Sequence, residues 1–323
     1  MKKPIMNAAF AIAFLVGIAL IGTVSGTSEP VCSTAINPDT SGNYIAYELI
    51  YQQDVDHDIR VKDTSTGNIV TVTFAADLET NPAISGQMVV WQDNRNYATT
   101  GWDIYGYDLS TSTETAICTQ AGDDINPDIS GGRVVWEHVT SGSNHDIYNW
   151  TRTGGVIQIL CGLTSDQRNP KISGDKVVWE DNRNSATTGW DIYFWDPATG
   201  VATDISAGAS AFGDGDDINP DIATDIYGYG VPDTVVWELA FSGSDHDIFK
   251  WTSSEGATGI CETLDLSQKP VITSSDGTII WEDNRNLATT GWDLYWIYGP
   301  FSETQVVLPG DQRNPCIDQE IAW

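Results

Sequence analysis

A unit of 43 to 50 residues recurs along almost the whole chain, and no other feature limits the fold so tightly. Copies begin at Asn37, Asn81, Asn126, Asn169, Asn219, Lys269 and Asn314. Each opens with N-P-x-I-S or a relative of it, passes a small turn such as Ser173-Gly174, and enters a β-branched stretch closed by an aromatic (Val177, Val178, Trp179). A polar loop follows, then D-I-Y-x-W at Asp191 to Trp195, a Pro/Gly turn (Pro197, Gly200) and a last apolar run. Four short runs of Val, Ile, Tyr and Trp between turn residues predict a four-stranded antiparallel meander. One such sheet per repeat, set radially, is a blade of a β-propeller. A helical solenoid of the same period is disfavoured, because the units lack a long 3.6-residue apolar pattern and carry Gly and Pro throughout.

The all-β chain thus holds six full repeats and a partial seventh. The tail NPCIDQEIAW supplies two strands of that last copy, and Val31 to Ile36 reads as a lone fourth strand. Strands from both termini completing one blade would remove exposed sheet edges. A seven-bladed ring is therefore favoured, with six blades as the alternative.

The repeats alternate. From strand-ending aromatic to the Asp of D-I-Y the distances are 11, 12, 10, 12, 10 and 12 residues. The even copies carry DNRN loops and a Trp before that Asp, whereas the odd copies carry His57, His145 and His246 there. The duplicating unit is read as a pair of blades. Copy five is lengthened by DIYGYGVPD, Asp225 to Asp233.

Lys2 and Lys3 ahead of an apolar run from Ala8, with Val24-Ser25-Gly26 as a cleavage site, predict a secretory signal over residues 1–26 and a propeller over 27–323. The run is too short for a membrane span. Acidic residues outnumber basic ones by 45 to 15, a formal charge of −30. Such a field repels nucleic acid and anionic membranes and leaves cations, basic proteins and uncharged glycans as partners. Five cysteines are too few for a disulfide framework. Cys118, Cys161 and Cys261 read as small buried side chains of fourth strands; Cys32 and Cys316 flank the ring closure and are the pair most open to bridging.

In an up-and-down meander the loop entering the first strand and the loop between strands two and three share one face. Here those are the decorated loops, so that face is the candidate functional surface. Trp102, Trp190 and Trp292 sit at loop–strand junctions, where an aromatic ring can either pack as a lid or stack on a sugar. Arg95, Arg183 and Arg285 of DNRN are expected either to pair with a carboxylate or to bind hydroxyls. Asp58, Asp103, Asp146, Asp191, Asp247 and Asp293, the D-I-Y carboxylates, recur too often for catalysis and are expected to accept backbone N–H groups. Trp91, Trp136, Trp179, Trp237 and Trp281 are expected in the core. The three odd-copy histidines read as hydrogen-bonded structural groups, since alternate blades cannot bring them to one metal. Asp214, Asp216 and Asp217 form the densest acidic cluster and the one calcium candidate, without matching the D-x-[DN]-x-[DN]-G loop. No cofactor, nucleophile or zinc motif is present; Asn149-Trp150-Thr151 is a glycosylation sequon.

With N-P-x-I-S-G-x-x-V-V-W followed by D-I-Y-x-x-D, the chain resembles the TolB-like, WD-type propeller repeats over residues 36 to 323, and especially those of secreted archaeal cell-surface proteins. It departs from TolB in lacking S-P-D-G in the first hairpin and an N-terminal partner domain. The resemblance implies an interaction role at the envelope, as a monomeric propeller contacting a glycan or surface protein. A polysaccharide lyase or glycoside hydrolase, and a structural surface-layer component, are the alternatives. A catalytic site should break the repeat in one place, and His138 and the copy-five insertion are the two exceptions.

Overall fold

The computed structural model describes residues 33–312 except 52–56, 75–76, 141–143, 156–157, 208–214, 225–231, 242–245, 262–265, 274–276, 290, 299–303 and 307–311. The predicted signal, Cys32, Cys316, Asp214, most of the copy-five insertion and the tail from 313 lie outside the described residues.

Among the described residues the chain is all β. Six four-stranded antiparallel sheets, each with its strands in sequence order, stand in a ring as the blades of a six-bladed β-propeller. Their first strands are β1 (Ser33–Ser41), β5 (Glu79–Ser85), β9 (Asp123–Ser130), β13 (Gln167–Ser173), β17 (Asp216–Ala223) and β21 (Ser267–Ile272). The six-bladed arrangement is thus the one the described residues form; the seventh copy falls at 314–323, beyond them. Gln312 marks where that copy would enter, since its N–H reaches the Trp292 carbonyl at 2.8 Å.

One strand assignment needs correcting. Residues 33–36 belong not to a fourth strand but to β1, where Thr34, Ala35 and Ile36 pair with Ile50, Leu49 and Glu48. The N-P pair lies within the first strand rather than at its start. Asn37, Asn81, Asn126, Asn169, Asn219 and Lys269 all adopt φ between 47° and 52°, and the ladder shifts register around every one of them. Asn tolerates this left-handed backbone better than most residues, so N-P writes a bulge into the strand.

The β-branched runs are second strands, buried on both faces because a blade lies on either side; Met88, Val89, Val90 and Trp91 are all buried. Five apolar clusters each straddle one blade junction, and each holds one of the predicted core tryptophans. Trp91 packs with Ile59 and Val61 of the first blade, Trp136 with Val90 and Ile104 of the second, and Trp179 with Val135 and Ile147 of the third. Trp237 meets Val178 and Ile192, and Trp281 meets Val236 and Ile248. All five indoles are 0 % exposed. The tryptophans therefore pack across blade junctions as well as against an aromatic of their own blade.

Candidate functional site

The decorated loops do share one face. The first Asn of each DNRN pairs with the residue entering the same blade: Leu78 N donates to Asn94 Oδ1 at 2.8 Å and Asn94 N to Leu78 O at 3.1 Å, with equivalents at Asn182–Asp166 and Asn284–Leu266.

The rest of DNRN is a knot of side chains. Asp93 accepts the Trp91 indole at 3.0 Å and the Arg95 Nε at 2.9 Å, and the guanidinium lies 4.0 Å over the Tyr105 ring. Arg183 and Arg285 repeat this with Asp181 and Tyr193, and with Asp283 and Tyr295. Each arginine thus has a carboxylate on one side and an aromatic face on the other, and its side chain is about a quarter exposed (26, 28 and 23 %). Their carboxylates lie in their own blades, but two guanidiniums also cross a junction, touching the thiols of Cys161 and Cys261. Cys118, Cys161 and Cys261 are free and buried, and burial pushes the Cys161 thiol up to about 11.

The D-I-Y carboxylates are all buried. In the even blades they accept side-chain amides: Asn96 Nδ2 reaches Asp103 at 2.9 Å, Asn184 reaches Asp191 at 3.1 Å, and Asn286 reaches Asp293 at 3.3 Å. Several of the loop's own N–H groups close its turns, as in Tyr97 N to Asn94 O. In the odd blades Asp146 takes the Asn144 amide and Asp58 lies 3.9 Å from Arg60. Burial pushes Asp103 and Asp191 above the usual carboxylate range.

His57, His145 and His246 each direct Nδ1 at a glutamate of their own blade, Glu48, Glu137 and Glu238, at 2.5–2.6 Å. Those glutamates belong to a network that sequence reading missed. Asn126, Asn169, Asn219 and Lys269 donate their backbone N–H, left over by the left-handed turn, to Gln92, Glu137, Glu180 and Glu238 of the preceding blade at 2.8–3.1 Å. The same Glu or Gln accepts the Asn amide of its own blade. The signal was present: Glu or Gln follows the second-strand aromatic in all six copies.

The three junction tryptophans are half-buried. Trp102 N donates to Asp123 Oδ1 at 3.0 Å while Trp102 O accepts Asp124 N at 2.8 Å, and Trp190 does the same with Asp216 and Asp217. The backbones of Trp102 and Trp190 are thereby tied to the next blade. Arg168 lies 3.7 Å over the Trp190 ring; no cation or ring stacks on Trp102 among the described residues. Of the calcium candidates, Asp216 is engaged by Trp190 and Asp217 by the Trp237 indole at 2.5 Å.

The ring encloses a central channel of about 390 Å³, lined by the N-P residues of all six blades. Into it project Asp39, Asp128 and Asp221 of the odd blades and Lys171 of the fourth. Each Asp accepts an N–H of the following even blade, from Ile84, Ile172 or Ile272, at 2.7–2.8 Å. These clamps join blades in pairs, in keeping with a two-blade duplication. Burial pushes Asp39 up to about 7 and Asp221 up to about 6.

No protein-family model and no curated protein matches the chain. Among solved structures it is similar to TolB from Acinetobacter baumannii, with a TM-score of 0.55, 17 % identity, and coverage of 85 % of this chain and 66 % of that one. The fold is that of a TolB-like β-propeller. The propeller domain of the Trilobed protease from Pyrococcus furiosus matches with a TM-score of 0.59 and 15 % identity over 85 % of this chain and 83 % of that one. Oligogalacturonate lyase from Vibrio parahaemolyticus matches at 0.58 and 12 % over 89 and 86 %. The chain spans just under two thirds of the TolB structure and 42 % of a similar prolyl endopeptidase. At these identities the likeness is one of fold.

Proposed function

We propose that the protein is a secreted or cell-surface propeller that acts as a non-enzymatic interaction module, binding an envelope glycan or surface protein through its loop-rich face. The observation that supports this most is the setting of Trp102 and Trp190, whose backbones are bonded to the next blade while the residues stay only half-buried. Aromatic faces held rigidly on a polar rim give contact area at little entropic cost. In this reading the DNRN arginines hold the loops, and Trp102, whose ring no cation covers among the described residues, makes the main aromatic contact with the ligand. The fold likeness to oligogalacturonate lyase favours polysaccharide cleavage as the second reading.

Electrophoresis of residues 27–323 through gels containing envelope polysaccharide, followed by sizing of the polysaccharide, separates them. Retardation without shortening, lost in the Trp102→Ala, Trp190→Ala, Trp292→Ala triple variant, is the expected result. Shortened chains would replace the module with an enzyme, and an unretarded wild type would leave a protein partner or a structural role.

A further inference from the structure

Two places after the second-strand aromatic, the six blades carry Leu49, Asp93, His138, Asp181, Leu239 and Asp283. The one imidazole is 3 % exposed. Its Nδ1 lies 2.7 Å from Asp124 Oδ1, an oxygen that also accepts the Trp136 indole N–H at 2.7 Å, and its ring stacks on Tyr148 at 4.5 Å between centroids. Since the carboxylate oxygen is the acceptor, Nδ1 carries the proton, and in the neutral ring Nε2 keeps its lone pair. Among the described residues Nε2 has no hydrogen-bond partner. Its edge faces Gly122: a β-carbon there would lie 2.8 Å from Cε1 and 3.1 Å from Nε2. Gly122, at φ 130°, packs its backbone against that edge and carries no β-carbon that would block it. Trp102 flanks the same segment, through its bonds to Asp123 and Asp124 and the 2.9 Å bond from Gly122 N to Thr100 O.

We propose that the seam between the second and third blades is a subsite for a neutral sugar, with His138 Nε2 taking one hydroxyl while the sugar ring rests on Trp102. The proposal rests on the glycan-binding reading and gives it an address. A hydroxyl suits this nitrogen because it donates to the neutral imidazole and accepts from the charged one. The formal charge of −30 disfavours phosphate or carboxylate ligands.

The test is affinity electrophoresis in uncharged dextran, mannan and galactan, paired with ¹⁵N-histidine NMR. At least one glycan should retard the wild type; His138→Leu should weaken it about tenfold, the scale of one lost hydrogen bond, and Trp190→Ala by less than about twofold. The His138 Nε2 resonance should move on saturation, while those of His57, His145 and His246 hold still. Retardation lost with Trp102→Ala but unchanged in His138→Leu would overturn the subsite and leave glycan binding standing. No retardation by any of the three would overturn both. Should His138→Leu not fold, the wild-type Nε2 shift decides: a stationary resonance in the retarding glycan refutes the proposal.

Discussion

Two seams of this propeller are built alike and finished differently. Between the second and third blades stand Gly101, Trp102, Gly122, Asp123, Asp124, Trp136 and His138; between the fourth and fifth stand Gly189, Trp190, Gly215, Asp216, Asp217, Trp237 and Leu239. The tryptophans are tied down alike: both tryptophan N–H bonds are 3.0 Å and both carbonyl bonds 2.8 Å. In each, a buried Asp takes the core indole. What differs is the lining: the first seam places an imidazole where the second has leucine, and the second lays Arg168 over its tryptophan. Scaffold and specificity are therefore separable, and each seam is a control for the other.

The largest expected effect is one the seams should share. Trp136→Ala and Trp237→Ala each empty a fully buried indole site and should cost about 3–5 kcal/mol in urea denaturation; a much smaller loss at one would mean that the seams are not packed alike. A second contrast lies in pH. Burial pushes Asp217 up to about 7, so the folded protein keeps a proton that the unfolded chain gives up near pH 4. Stability should then fall as pH rises from 4 to 7 and level off above. Asp217→Asn should flatten part of that slope in thermal melts between pH 4.5 and 7.5, and the remainder belongs to the other carboxyls that burial raises, Asp39, Asp103, Asp128, Asp191 and Asp221. An unchanged slope would exonerate Asp217.

Much of this was legible in the sequence, for a physical reason. A strand buried on both faces must read Val-Val-Trp, so the period, the blades and the core tryptophans were visible directly. The bulge at N-P was not, because an Asn before Pro reads as the start of a strand unless its left-handed φ is known. Nor was the glutamate network, whose members lie 31 to 39 residues apart along the chain and look like one more polar residue after each aromatic. His138 stood out as an exception to the repeat, but its partner Asp124 is 14 residues away across a strand pair, and only the fold joins them.

Smaller effects sharpen the contrast. Arg168→Ala loses the cation on the ring and also the 2.6 Å bond from its Nε to the buried Glu180 carboxylate, and should cost about 1–3 kcal/mol. It should also bare Trp190, so that oxidation mapped by mass spectrometry approaches the rate at Trp102. An unchanged rate would show that the guanidinium shields nothing. His138→Leu copies what the fifth blade already tolerates and should change unfolding free energy by no more than about 1 kcal/mol, one hydrogen bond traded against apolar burial; a larger loss would make the imidazole structural.

The most direct measurement sets the two seams side by side: the polysaccharide affinity of Trp102→Ala against that of Trp190→Ala, in proteins of equal melting temperature. A loss of about tenfold or more for the first with less than about twofold for the second is the predicted result. Equal losses, or none in either, would contradict the claim that one scaffold carries two functionally distinct seams.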